Sequence, residues 1–405
     1  MKITGIYLYP IKGLRGIPLK EARLTPQGVK YDRRFSLWRL NEDGSLKDKI
    51  QVFTNPECSL FEQRVVGLGE SDIDEEEDVS YARFTKPCPG GEKETPAVIV
   101  RYITPQNPIV PKHPAHDTPL RVPLCPDTTD LDPVTVTMYK SSAAAYRMGD
   151  LYDAWFTACF GFPIALVYIG DGKRPQLGFQ PLALARMPRR SKPYALLYAL
   201  LGYVTNCIVF LLTSPLLAYR EKGKDCLRNA VPWVTFTDFA PFLVTSESSL
   251  ADLSSRVGDK PLEMHRFRPN IIIGPSATGS DPFDDLPPWD EDFWSELSVA
   301  GSPTFKLTGN CARCTSVNVD YDTGRPTEGL RGDVLKTMAR CRRVDKGKKW
   351  QAIFGRYASL ATPHQQLNWW RTSQSRIPNK VALGDEVCVT TRNPERDVWD
   401  WPPLK

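Results

Sequence analysis

Apolar and polar positions alternate with period two from the second residue of the chain. Residues 3–9, 22–24, 35–40 and 51–54 read as short strands, separated by turns rich in Gly, Pro and Asn such as the loop at 10–16. Many short strands with such punctuation predict an antiparallel barrel or sandwich. The N-terminus lacks the apolar core of a signal peptide, so the fold is expected to start at once.

Further along, the period lengthens. After a strand at 134–139, a helix is expected over about 149–160, with Leu151, Trp155 and Ala158 on one face and Gly161 as its stop. A second helix follows Ser246 as cap, carries Leu250, Leu253 and Val257 at helical spacing, and ends at Gly258. Strands at 165–168, 242–245, 271–273 and 387–390 surround them. The chain therefore reads as α+β and β-rich, dividing into a barrel-like part over 1–137 and a mixed part over 138–405.

Two stretches interrupt this pattern. An acidic run at 72–78 and a Pro, Gly and Lys-rich run at 86–93 predict a loop-rich insertion over about 68–120 that buries little, with a strand near 97–102. A second insertion, about 187–225, contains the uncharged segment 194–219, which would extend ~39 Å as a helix. Basic residues flank it on both sides: Arg189, Arg190 and Lys192 before it, and Arg220, Lys222 and Lys224 after it. That symmetry argues for a re-entrant or interfacial membrane contact over a simple crossing; a hairpin buried within protein is the alternative.

A length of 405 residues suits about two domains and a core that needs no covalent staples. The ten cysteines are scattered, several within apolar runs, which favours a reducing, intracellular compartment. A net charge of +5 is mild and dispersed, and no nucleic-acid motif is present.

Residues 307–324 concentrate the chemistry. They hold Cys311 and Cys314 at C-x₂-C spacing with Arg313 between them, a strand-like run at 315–319, and a turn built on Asp322, Thr323 and Gly324. Structural zinc wants four ligands, and no second closely spaced pair occurs. A thioredoxin-type pair wants a helix after it, which the β-branched residues oppose. A single thiolate near Arg313 serving a soft metal remains. Upstream, Arg268 and Asn270 precede an apolar strand; arginine can grip phosphate and asparagine can read a heterocycle edge, though such a pair is commonly a strand-edge ion pair. Lys12 and the pair Arg33 and Arg34 are further cations, or else solvated charges beside turns.

The series Tyr9-Pro-Ile-Lys12, Asp32-Arg33, Phe267-Arg-Pro-Asn270, Cys311-Ala-Arg-Cys314 with Val319-Asp-Tyr-Asp-Thr-Gly324, and Phe354-Gly-Arg-Tyr357 resembles the MOSC family. Within it, the closer likeness is to the mitochondrial amidoxime-reducing components. The resemblance implies an N-terminal MOSC β-barrel domain, a C-terminal MOSC domain and a molybdenum cofactor. It implies Cys314 as metal ligand and catalytic centre, with Lys12, Arg33, Asp238, Arg268, Asn270 and Arg313 as cofactor contacts.

It further implies reduction of amidoximes, hydroxylamines or N-oxides, with electrons from a cytochrome b-type haem protein and its flavin reductase. The expected location is intracellular and membrane-associated through 194–219, as on the cytosolic face of the mitochondrial outer membrane, with the cytoplasm as alternative. A membrane-associated cofactor carrier without turnover is the runner-up. Cofactor sulfuration needs a pyridoxal-phosphate domain, for which a barrel starting at residue 2 leaves no room. The chain departs from its relatives at Phe239 and Ala240, where small hydroxyl residues are usual, and at Gly13, where serine is common.

Overall fold

The computed structural model describes residues 1–67, 95–176, 232–258, 261–276, 285–299, 304–329, 333–361 and 380–399. The segment 194–219 lies outside the described residues, as do 68–94 of the first insertion. Among the described residues, no helix is long and apolar enough to cross a membrane.

An eight-stranded sheet forms the backbone of the molecule, in the order Val387–Arg392, Trp294–Val299, Phe305–Ala312, Ile353–Leu360, Phe242–Ser246, Ile271–Gly274, Lys2–Leu8, Ile17–Leu19. Its pairings are antiparallel except one. Phe242–Ser246 and Ile271–Gly274 run parallel, and the crossover between them carries the helix Glu247–Val257. The Ser246 hydroxyl caps that helix by accepting from the Ser249 N–H, and Leu253 and Val257 are buried beneath it, as their spacing predicts.

A six-stranded sheet joins Asp132–Met138, Ser141–Arg147, Ile164–Tyr168, Phe35–Leu40 and Ile11–Lys12, with Leu46–Lys49 added beside Phe35–Leu40. A three-stranded sheet holds Leu120–Pro123, Ala97–Tyr102 and Phe61–Val66. With three α-helices among the described residues, the architecture is α+β and β-rich as expected. The described strands form open sheets instead of a closed barrel.

One hydrophobic cluster runs from Ile3 to Val387, with Phe35, Phe61, Phe156, Phe242 and Trp294 at its centre. The two halves of the chain thus share a core, and the hairpin Asp132–Met138/Ser141–Arg147 spans the division expected at 137/138.

Four local expectations are corrected. The strand expected near 97–102 is present, but the first insertion buries more than expected: Ala97, Val98, Val100, Leu120 and Val122 are buried, because Ala97–Tyr102 pairs with Phe61–Val66 on one side and Leu120–Pro123 on the other. Residues 51–54 make a turn, not a strand, since the Gln51 carbonyl accepts from Thr54 N–H, Asn55 N–H and the Thr54 hydroxyl. In the helix Asp150–Phe160 the buried face is Trp155, Phe156, Cys159 and Phe160, while Leu151 is 72% exposed. Phe61 recruits that face, stacking on Phe160 at 4.7 Å and meeting Trp155 edge-on at 6.0 Å. Lastly, Thr315–Asn318 is a 3₁₀ turn, with Ser316 and Val317 buried and the Asn318 carboxamide accepting from Leu335 N–H of the helix Val334–Cys341.

Candidate cofactor-binding site

The strand Phe305–Ala312 carries Cys311 inward at its end, and the chain then turns through Arg313 and Cys314. Four other segments reach the same place: the loop after Lys2–Leu8, the residues just before Phe35–Leu40, the segment leading into Phe242–Ser246, and the 3₁₀ turn Met264–Phe267 with the residues after it. Together they enclose a cavity of about 310 Å³ lined by all seven residues nominated from sequence: Lys12, Arg33, Asp238, Arg268, Asn270, Arg313 and Cys314.

Lys12 is buried and pairs with the Asp238 carboxylate, so it is not a solvated charge. Burial lowers its pKa to about 8, against the opposing pull of Asp238. Burial alone would raise the Asp238 carboxyl; Lys12, Arg33 and the Tyr139 hydroxyl together hold it well below the ordinary carboxylate range. The Tyr139 hydroxyl donates to Asp238 at 2.9 Å, with the Gln51 side chain 3.2 Å from the same oxygen.

Arg33 pairs with buried Asp32 and donates to Asn270 Oδ1 at 3.1 Å. Arg33 and Arg268 both lie over the ring of Tyr9, at 4.7 and 4.6 Å. Asn270 is fully engaged as an acceptor: its Oδ1 also takes the Leu243 N–H at 3.2 Å, and its Nδ2 donates to the Tyr7 carbonyl at 3.2 Å. One amide hydrogen is left for any bound group.

Arg313 donates to Cys311 Sγ at 3.0 Å and to the Phe267 carbonyl at 2.7 Å. Cys311 is therefore more than packing: its sulfur fixes the guanidinium. The Cys314 sulfur is exposed and 3.2 Å from the Ser316 hydroxyl.

Arg33, Tyr139 and Arg268 line the cavity with φ of 49°, 51° and 53°, a region that L side chains seldom occupy. Backbone strain of this kind is commonly gathered at functional sites. Tyr139 and Lys140 form a two-residue hairpin loop between Met138 and Ser141 with both φ positive, yet neither is Gly, Asn or Asp. Without that signature Tyr139 could not be found from sequence, and Gln51, Lys348, Tyr357 and Trp399 join the wall only through tertiary approach.

Among the described residues no group of three His, Cys, Asp or Glu is placed to hold a metal ion. The cavity offers one exposed thiol amid cations, which suits a metal that arrives with sulfur ligands and an anionic tail of its own.

Comparison with known proteins agrees with that class. The MOSC N-terminal beta barrel domain matches residues 1–73, and the MOSC domain matches residues 232–388. The chain is a MOSC-domain protein. It is 23% identical over 370 residues to human mitochondrial amidoxime-reducing component 1, covering 89% of this chain and 79% of that relative. It is 35% identical over 128 residues to human mitochondrial amidoxime reducing component 2, covering 31% of this chain and 35% of the relative. It is also 34% identical over 183 residues to the molybdenum cofactor sulfurase of Arabidopsis thaliana, covering 41% of this chain but only 19% of the relative.

Proposed function

We propose that this chain is a molybdenum cofactor-dependent oxidoreductase that reduces N-hydroxylated substrates such as amidoximes, hydroxylamines or N-oxides. The observation that carries the reading is the convergence of one exposed thiol, Cys314, with Lys12, Arg33, Arg268 and Arg313 on a single cavity. The names of the relatives, amidoxime-reducing components and a molybdenum cofactor sulfurase, support both the reaction and the cofactor.

The residues present fit that cofactor. Its phosphate needs cations, its pterin needs polar edges and its metal needs a protein thiolate. Arg268 Nη1 and Arg313 Nε are buried donors without a hydrogen-bond partner among the described residues, which a bound polar group would satisfy. Cys314 would ligate the metal, Lys12, Arg33 and Arg268 would hold the phosphate, and Asp238, Asn270 and Arg313 would face the pterin. When bound, the cofactor supplies a redox-active metal able to deliver two electrons to an N–O bond.

The protein's own contribution is placement. Asp32 and Asn270 hold Arg33, Cys311 and the Phe267 carbonyl hold Arg313, and the Lys12–Asp238–Tyr139 chain holds three side chains against one another. Such preorganisation avoids reordering charged groups when an anionic cofactor or substrate enters. In the overall reaction the N–O bond breaks and two electrons and two protons are consumed: an N-hydroxyl group yields N–H and water, and an N-oxide yields the free amine and water. A cytochrome b-type haem protein with its flavin reductase is the proposed electron source, and the proposed location is intracellular with membrane contact through 194–219.

Elemental analysis of the purified protein should find molybdenum, and Cys314→Ala should lose it. A Cys314→Ala protein that keeps both molybdenum and reductase activity overturns the assignment. Reoxidation of the chemically reduced protein by benzamidoxime in one turnover distinguishes an enzyme from a carrier.

A further inference from the structure

The cavity has a second wall that the proposed cofactor contacts do not use. The Phe239 ring meets Tyr357 at 5.7 Å and 68°, and Trp399 at 5.2 Å and 84°, both edge-to-face. The Lys348 ammonium lies 3.7 Å over the Trp399 ring and 5.8 Å from that of Phe239. All four residues line the cavity.

Trp399 is delivered by the C-terminal segment, which is pinned at several points. Fully buried Arg356 pairs with Asp397, Asn310 Nδ2 donates to the Asp397 carbonyl at 2.8 Å, and Trp399 N–H donates to Asp345 at 3.0 Å. Gly347 permits the approach, for a Cβ there would stand 2.0 Å from the Trp399 carbonyl oxygen.

Among the described residues, Lys348 makes no ion pair with a carboxylate. Asp345, three positions earlier, is engaged by the N–H groups of Asn310, Gly347 and Trp399. The ammonium is half-buried with two ring faces as its compensation, and burial lowers its pKa despite the opposing influence of Cys311 and Asp345. A cation in that position gains from an anion placed against it.

We propose that Lys348, Trp399 and Phe239 form a substrate-selecting subsite for a flat aromatic ring bearing a carboxylate, so that the cavity prefers N-hydroxylated aromatic acids. For the reacting end this rests on the N-reductive reading. A cofactor phosphate is the other possible source of an anion, but Lys12, Arg33 and Arg268 form a cationic group that shares no residue with this one.

The test is calorimetric binding of benzamidoxime and 4-carboxybenzamidoxime to the oxidised protein without reductant, so that no turnover occurs. The carboxylate should bind about tenfold more tightly to the wild type, the effect of one well-placed charge-assisted contact. Lys348→Gln should abolish that preference, Lys348→Arg should restore it, and Trp399→Leu should weaken both ligands. Equal binding of the two ligands to the wild type overturns the proposal. So does a loss of molybdenum and pterin from Lys348→Gln, which would assign the ammonium to the cofactor phosphate. Reduction of N-methylhydroxylamine, which has neither ring nor acid, reads the reacting end alone; its absence in the wild type would sink the N-reductive reading while leaving the binding result intact.

Discussion

Replacing Asn270 by Ala tests whether the scaffold and the cavity are held by the same side chain. Asn270 is 1% exposed and joins three segments: the Tyr7 carbonyl, the Leu243 N–H and Arg33. Both backbone groups of Tyr7 face this residue: the Tyr7 N–H donates to the Asn270 carbonyl at 2.9 Å, and the Asn270 side-chain amide donates to the Tyr7 carbonyl. The substitution leaves two buried backbone groups unpaired, at about 1–3 kcal/mol each, a loss of roughly 2–6 kcal/mol. Arg33 keeps Asp32 but loses its second anchor, and its guanidinium should spread over more orientations. Urea unfolding followed by tryptophan fluorescence reads the stability loss as a lower midpoint at unchanged slope. Molybdenum content, measured under conditions where the variant is still folded, should fall as well. A stability loss below about 1 kcal/mol would refute the reasoning, because it would mean that water or a backbone shift satisfies both groups without cost.

The Lys12 charge should be lost as pH rises through about 8, so the affinity of cofactor-free protein for inorganic pyrophosphate should decline there. Calorimetry across that range checks it, and Lys12→Met should remove the step. Burial first, and then the charge of Asp292, raise the Glu291 carboxyl from 4.5 to about 7. The folded state thus binds this proton more tightly than the unfolded chain does; its stabilisation is complete below pH 4.5 and is lost as pH rises through about 7. Urea midpoints across that window should fall for the wild type and stay flatter for Glu291→Gln; equal slopes would contradict the assignment. On the helix Asp150–Phe160, Phe156→Ala should cost about 3–5 kcal/mol, whereas Leu151→Ser should stay within about 0.5 kcal/mol, both read by denaturant midpoint.

Some of the residues that line the cavity stood out as unusual types at short spacing, namely a C-x₂-C pair, an arginine two positions before an asparagine and a lysine in a glycine loop, whereas Asp238 was reached through the family resemblance alone. What those residues do to one another was less legible. Asn270 suggested an amide free to read a heterocycle, but its oxygen is occupied by Arg33 and Leu243. Cys311 accepts a hydrogen bond from Arg313, a role that its place in the C-x₂-C pair does not announce. Strands were found wherever alternation was long, as at Lys2–Leu8 and Phe35–Leu40. Errors arose where a local bond competed with it, as at Gln51 and Thr54, or where a tertiary partner chose the face, as Phe61 did for the helix that leaves Leu151 exposed. Tyr139, Lys348 and Trp399 carried no local signal, since nothing near them in the chain announces that Asp238 or Asp345 will meet them.

The strand Lys2–Leu8 leaves the ribosome long before the strand it must lie against, Ile271–Gly274, and Ile6 meets Ile271 across that interval. Closing a loop of that length costs about 5 kcal/mol in chain entropy before any contact repays it. The eight-stranded sheet therefore cannot be completed while the chain is half-made, and the exposed apolar face of Lys2–Leu8 must be kept from other strands throughout synthesis. The cofactor cavity, whose Lys12 and Arg33 come early and whose Arg313 and Cys314 come late, can close only once both ends of the chain are present.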